Sequence, residues 1–277
     1  MFTDKDFSYL SKLAGELAGI SLSSGKRELI YGRLVKRLRA LDLKDFKSYC
    51  DPLKDNENGA AEDERTHFIN SITTNVTSFF RENHHFEFMA DTLLPELISK
   101  KSGASQPRLR IWSAGCSSGK EPYSIAMVVK ECIPDFERWD IKILATDLDS
   151  NILEVAKSAV YPKEHIKEIS FDRRRSWFKM GRGANENSIK VVDDIKNMVS
   201  YRQLNLTEKW PMTGPFDIIF CRNVTIYFDR DTRVSLLDNF AEYLDDDGCL
   251  FVGHSESLFG LTQRFSTVGR TIHRKIR

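Results

Sequence analysis

The chain has 277 residues, 41 basic against 40 acidic, and its net charge of +1 excludes a global pull toward nucleic acid or an anionic membrane. An apolar share of 41% with 11% aromatics suits a packed globular protein, and no apolar run reaches the ~18–20 residues that span a bilayer. Five scattered cysteines without a Cys-x-x-Cys pair, and an acidic amphipathic N-terminus in place of a signal peptide, point to reduced thiols in the cytoplasm and away from structural zinc.

In chain order, residues 1–75 are expected to form an all-helical domain. Phe7, Leu10, Leu13 and Leu17 recur at three- and four-residue steps. A second helix is predicted over Lys26 to Leu41, capped by Ser24, with Ile30, Leu34, Leu38 and Leu41 on one stripe. Arg33, Lys36, Arg37 and Arg39 cover much of its other face. A short helix follows near residues 43–53, then a polar break at 55–65 and a fourth helix over 65–75. Residues 76–92 are expected to link this domain to a second one, 93–277, through a segment entering a helix. His84 and His85 are neighbours on that segment; helical neighbours point ~100° apart, so no shared metal is expected.

From residue 108 strands alternate with helices, which predicts a parallel sheet covered on both faces. The strands are 108–114, 140–149, 197–206, 216–224, 248–255 and a final 268–277, expected to pair antiparallel; the helices are 121–133, 150–161 and 232–244. Between about 165 and 200 the alternation stalls around Gly181, Gly183 and Asp193-Asp194, which suggests a small antiparallel subdomain.

The stretch Gly115-Cys116-Ser117-Ser118-Gly119 between the first strand and its helix admits three readings. A triphosphate loop requires G-x-x-x-x-G-K-[ST]; here the glycines are one residue too close and Glu121 stands where the hydroxyl belongs. A hydrolase elbow would use Ser117, Asp217 and His254, but it would sit on the first strand with no oxyanion loop upstream. A nucleotide-cofactor turn fits better, because Asp147, Asn205 and the Arg222-Asn223 pair follow at the ends of later strands. Asp147 suits ribose hydroxyls and the Asn205 amide an adenine edge. A carboxylate at Glu121 is poor company for pyrophosphate and good company for the ammonium of S-adenosylmethionine, so a negatively lined pocket for a cationic methyl donor is expected.

The segments "TTNVTSFFRENHHF", "WSAGCSSGKEPYSIA", "ATDLD", "IFCRNVTIYFD" and "GHSESL" together resemble the chemotaxis receptor glutamate O-methyltransferases over nearly the whole chain. One departure is Lys120, where that family usually has an acid. The resemblance implies a Rossmann-like class I methyltransferase α/β sheet with a β-subdomain and an N-terminal all-α domain. It implies S-adenosylmethionine as cofactor, with S-adenosylhomocysteine as product. It places Asn75, Thr77, Arg81, Gly115, Glu121, Asp147, Asn205, Leu206, Arg222 and Asn223 around the cofactor, and Arg81 and Tyr227 beside the transferred methyl. Phe79-Phe80 would serve packing. The implied partners are methyl-accepting chemotaxis receptors, docked through Arg33, Lys36, Arg37 and Arg39 and, in some members, through a receptor's C-terminal tether peptide on the β-subdomain. A monomeric cytoplasmic protein recruited to receptor arrays, with no nucleic acid, no membrane insertion and no metal, is the resulting expectation.

Overall fold

The computed structural model of the chain describes residues 2–54 and 59–276. Thr3 and Asp6 close a capping box that starts α1 (Asp4–Ala18), and Gly19, at φ 66°, ends it. After a 3₁₀ turn (Ser24–Lys26) comes α2 (Arg27–Ala40). Ser24 lies inside that turn and caps nothing with its side chain, so the helix begins one residue later than expected. It stops before Leu41, which is 38% exposed rather than part of the buried stripe. Asp45 caps α3 (Phe46–Leu53), and α4 (Gly59–Ile72) completes the bundle. The expected polar break is therefore much shorter; its residues 55–58 lie outside the described ones. Leu10, Ile30, Leu34, Tyr49 and Phe68 are buried in one apolar core of this domain.

The linker enters α5 (His84–Phe88), a π-helical turn (Met89–Leu93) and α6 (Leu94–Lys101). The second domain then runs β1 (Arg108–Ala114), α7 (Lys120–Cys132), β2 (Asp140–Asp147), α8 (Ser150–Ser158), β3 (Val160–Pro162), α9 (Phe171–Trp177), β4 (Phe178–Met180), β5 (Ser188–Val191), α10 (Asp193–Lys196), β6 (Val199–Gln203), β7 (Phe216–Cys221), α11 (Arg230–Tyr243), β8 (Leu244–Val252), β9 (Phe265–Gly269) and β10 (Ile272–Lys275).

The main sheet has the order β6-β2-β1-β7-β8-β10-β9. Its first five strands are parallel, and β10 pairs antiparallel with β8. β7 is buried along its length, as a strand covered on both faces requires. The predicted single last strand is instead a hairpin, because Thr271 turns left-handed at φ 58° between β9 and β10. The small sheet has the order β3-β5-β4 and begins at Val160, earlier than expected. Ala159, at φ 58°, ends α8 there, so Tyr161 belongs to a strand and not to the helix. Asp193-Asp194 open the short α10 rather than a simple turn. Among the described residues no helix is long and apolar enough to cross a membrane.

Candidate functional site

Strand order reverses at β1: β2 lies on one side and β7 on the other. In such sheets a crevice opens beyond the strand ends at that point. Here it is floored by the turn after β1. The N–H groups of Gly115 and Cys116 both donate to the Thr146 carbonyl, at 2.8 and 2.9 Å, stitching the turn to β2. Gly115 and Gly119 take φ of 81° and 84°. A Cβ at Gly119 would stand 2.7 Å from the Tyr201 hydroxyl, and one at Gly115 would strike Val224, so both positions require glycine. Ser117 is also left-handed (φ 49°), and its N–H donates to Asp147 Oδ2 at 2.7 Å. Asp147 Oδ1 accepts from the Asp149 N–H at 3.0 Å. Burial raises the Asp147 pKa and these backbone donors oppose the rise.

Asp149 is buried. Its Oδ1 caps α8 through Asn151 and Ile152, while its Oδ2 accepts from Thr73 Oγ1 (3.1 Å) and Asn75 Nδ2 (2.8 Å). One carboxylate thus joins the linker to the end of β2. Further along, Phe79 packs edge-on against Tyr161 and Phe178, and Arg173 lies 4.4 Å over the Phe80 ring. The Phe80 N–H donates to Ser124 Oγ. Phe80 and Glu82 have φ of 53° and 57°, so Arg81 sits between two left-handed residues, each costing about 1–2 kcal/mol that the packing offsets. The Arg81 carbonyl accepts from Arg222 Nη2 at 2.5 Å, and its guanidinium donates to the Val76 carbonyl at 3.0 Å.

On the first turn of α7, buried Glu121 accepts from Ser113 Oγ at 2.8 Å and from Arg222 Nη1 at 3.0 Å. Burial pushes its pKa up, against the pull of Arg222 and Ser113. Arg222 also stands 3.5 Å from Glu82 Oε2. Burial works against the Glu82 charge as well, but His254 and Arg222 hold that pKa below its ordinary value. Lys120 turns away from the cavity: its ammonium donates to the Thr77 carbonyl at 3.2 Å, and burial lowers its pKa.

One cavity takes in every residue expected at the cofactor and the methyl. Asn75, Thr77 and Arg81 come from the linker, Gly115, Glu121 and Asp147 from the first two strand ends and α7. Asn205, Leu206, Arg222, Asn223 and Tyr227 come from the later ones. The expectation of a negatively lined pocket is corrected. Its charged walls are Glu121 and Asp147 against Lys26, Arg81 and Arg222. The acids come from the first two strand units, whereas the cations arrive from the N-terminal domain, the linker and the end of β7. The Asn205 amide is also not free for an adenine edge. It donates to the Leu17 carbonyl and to Glu208 Oε1, both at 2.8 Å, and so ties α1 to the end of β6.

Two other expectations meet the geometry differently. The hydrolase alternative fails, because Ser117 Oγ donates to the Asn75 carbonyl, Asp217 pairs with Lys101 and the Arg110 N–H, and His254 pairs with Glu82. His84 and His85 do not point apart: their ring centroids are 4.1 Å from each other, close to Glu82. Arg222 beside Glu82 opposes a cation in that cluster. His85 is fully buried against Thr271, and burial, then Arg222, lowers its pKa to about 3.

The family model described as "CheR methyltransferase, SAM binding domain" matches residues 75–274, and that described as "CheR methyltransferase, all-alpha domain" matches residues 5–73. The chain is 42% identical over 259 residues to a probable chemotaxis protein methyltransferase of Rhizobium etli, covering 93% of this chain and 94% of that one. It is 41% identical over 273 residues to the chemotaxis protein methyltransferase of Escherichia coli K12, covering 98% and 91%. To chemotaxis protein methyltransferase 2 of Pseudomonas aeruginosa it is 38% identical over 273 residues, covering 98% and 93%.

The chain belongs to the CheR methyltransferase family.

S-adenosylmethionine is the cofactor that this family's binding domain takes. The residues present fit it. Asp147 keeps acceptor capacity beside the glycine turn, since a carboxylate offers about four acceptor sites and the Ser117, Asp149 and Leu148 N–H groups do not fill them. Glu121 stands at the N-terminus of α7, within the same cavity. Three residues of this CheR domain pair escaped the sequence reading. Asp149 has the signal of an N-cap, "DSNI", but nothing local says that it also grips the linker. Lys26 reaches the cavity with its ammonium 5.2 Å from the Tyr227 ring centroid, a contact across 201 residues. Glu256 lies inside the quoted "GHSESL", where only the resemblance drew attention to it.

Of the basic α2 face expected to dock a receptor, Arg33, Lys36 and Arg37 line a groove together with Glu28, with His67 and Asn70 on α4 and with Asn151 on α8, and Arg39 lies outside it. Arg33 is committed to the Ile72 and Thr73 carbonyls and to Thr74 Oγ1, and Arg37 chelates Glu64. Lys36 and Arg39 are exposed, with no ion-pair partner among the described residues.

Proposed function

We propose that this CheR-family protein methylates glutamate side-chain carboxylates of bacterial chemoreceptors, giving methyl esters that serve chemotactic adaptation. When bound, S-adenosylmethionine supplies a methyl group on a cationic sulfur. A glutamate carboxylate, with an unperturbed pKa near ~4.3, arrives already ionised and needs no general base. The observation that carries the reading is the pair of part-exposed cations in the cavity wall, Lys26 beside Tyr227 and Arg81 on the linker, neither with a carboxylate partner among the described residues. An anionic acceptor is what such a wall attracts. Arg81 holds the acceptor carboxylate, Tyr227 orients it, and the linker excludes water. Cofactor contacts fall to Asn75, Thr77, Gly115, Glu121, Asp147, Leu206, Arg222 and Asn223, while Asn205 lines the same wall with its side-chain amide committed to Leu17 and Glu208. Orientation of this kind supplies roughly 7–11 kcal/mol in well-aligned reactions.

The relatives' printed names, chemotaxis protein methyltransferases, support the receptor as substrate. Receptor helices rich in glutamate dock on the basic groove of α2, within the ~8 Å reach of charge at physiological salt. The free charges of that helix are Lys36, in the groove, and Arg39, beside it on α2, whereas Arg33 and Arg37 shape the groove. The exposed edges of the small sheet, β3 and β4, are the place where a receptor tether peptide adds a strand. A monomer in the cytoplasm, gathered at receptor arrays, completes the reading.

The test is incubation with labelled S-adenosylmethionine and receptor fragments, followed by base treatment. Label released as methanol supports glutamyl esters; base-stable label means N- or C-methylation, and absent label means a docking adaptor. Arg81→Ala lowers turnover by roughly 10²-fold; full turnover by a variant that binds cofactor normally removes its role. Reversing Lys36 and Arg39 to glutamate raises the receptor KM by roughly tenfold with cofactor affinity intact.

A further inference from the structure

We propose that Glu256 is a positioning residue for methyl transfer: its carboxylate fills a main-chain anion nest in the turn after β7 and thereby sets where Asn223 and Tyr227 stand in the cavity. The inference rests on the reading of Tyr227 as an acceptor-side residue, and it adds how that residue is held.

Glu256 is 6% exposed. Oε1 accepts from the N–H groups of Val224 (2.9 Å) and Thr225 (2.7 Å) and from Thr225 Oγ1 (2.8 Å). Oε2 accepts from the N–H groups of Asn223 (2.7 Å) and Gly253 (2.6 Å). Three successive N–H groups of one turn, converging on one point, are an anion site. Here the anion is part of the chain. The three N–H groups lead into a 3₁₀ turn (Thr225–Tyr227), whose first amides are free for an anion, and Asn223 bends the chain into it at φ 60°. The segment Arg222–Tyr227 contains no glycine to make that conformation cheap.

The approach is tight on the other side as well. A Cβ at Gly253 would lie 2.5 Å from Asn223 Nδ2 and 2.8 Å from Glu256 Oε2. Val224 is pressed against Gly115, so the nest sets the height of the turn over the cofactor floor. At its far end the turn is held by the N-terminal domain, where the Ser21 N–H donates to the Tyr227 carbonyl at 2.8 Å and Ile20 bridges to Phe228. Without the carboxylate, four inward N–H groups face one another with no acceptor. The turn then relaxes toward an ordinary backbone, and Asn223 and Tyr227 move with it.

Hydrogen exchange on the unliganded protein tests the nest directly. In the wild type the amides of Asn223, Val224, Thr225 and Gly253 are slow, and in Glu256→Gln they exchange at least about tenfold faster. The same variant loses about 10²-fold in kcat, the order of effect of an ångström-scale misplacement, with receptor KM little changed. In Glu256→Ala, added formate or acetate restores both amide protection and kcat, while chloride does not. Fast amides in the wild type overturn the proposal whether or not the variants fold. So does Glu256→Gln with exposed amides but wild-type kcat, and so does the absence of carboxylate rescue. If the wild type forms no base-labile ester, the acceptor reading fails, and the exchange and rescue of amide protection still decide the nest.

Discussion

The turns after β1 and after β7 both line the cavity, touch at Gly115 and Val224, and are held in left-handed conformations by different means. The first uses two glycines and a carboxylate from the neighbouring strand end, Asp147, on a single N–H of Ser117. The second has no glycine of its own and takes a carboxylate from 33 positions beyond Asn223, Glu256, on three N–H groups and a hydroxyl, with a fourth N–H from Gly253 after β8. A glycine turn makes a shape cheap locally and leaves its anion free for a ligand. A nest filled by the chain itself spends its anion on shape. This is why Asp147 retains acceptor capacity toward a cofactor while Glu256 faces away from it.

The largest expected effect falls where the turns meet. Gly115→Ala combines a left-handed alanine with a Cβ driven into Val224, and is expected to cost roughly 2–5 kcal/mol and to abolish cofactor binding, measured by thermal melting and calorimetry. An ordinary melting temperature would show that Val224 yields and that the two turns are independent. Asp147→Asn is next: cofactor affinity falls roughly 10–100-fold, by calorimetry, while stability falls by about 1–3 kcal/mol because the two N–H groups keep a poorer acceptor.

Acidification sharpens the comparison from the side of the second turn. His85 packs near Arg222 and Glu82 with a folded pKa of about 3, against ~6.5 for an unfolded histidine. Between those values the unfolded chain binds the extra proton, so stability is lost as pH falls through that window, by up to about 1.4 kcal/mol per pH unit. Denaturant titrations at pH 7, 6 and 5 check the slope, and His85→Gln is expected to flatten it. The smallest effect is that of Thr225→Val, which removes one hydroxyl donor from Glu256 and leaves its N–H bonds; about 0.5–1.5 kcal/mol is expected from urea melts.

The alternation of strands and helices, the glycine turn and the strand-end polar residues Asp147, Asn205, Arg222 and Asn223 were legible because each depends on local pattern, whereas Asn75, Thr77, Arg81, Leu206 and Tyr227 were expected at the cavity only through the family resemblance. Gly115 and Gly119 bracket a turn between an apolar strand and an amphipathic helix, and Asp147 ends the next strand. The misreadings share a cause. The local pattern extends the helices to Leu41 and Tyr161, and a helix end after Ala40 and the left-handed Ala159 override it. The local sequence leaves Arg33 and Arg37 as free charges and Asn205 as a free amide, because their partners Ile72, Glu64 and Leu17 lie on other elements.

By itself the sequence determined the two-domain order, the parallel sheet and the side chains that meet at its edge, since hydrophobic period, glycine and strand-end polarity act over a few residues. Only the tertiary structure decided the charge of the cavity, the pins that hold Arg81 and the nest at Glu256. Those depend on which distant carboxylates and cations the fold brings within hydrogen-bond reach, and Coulomb and hydrogen-bond energies are set by that distance and burial, not by position along the chain.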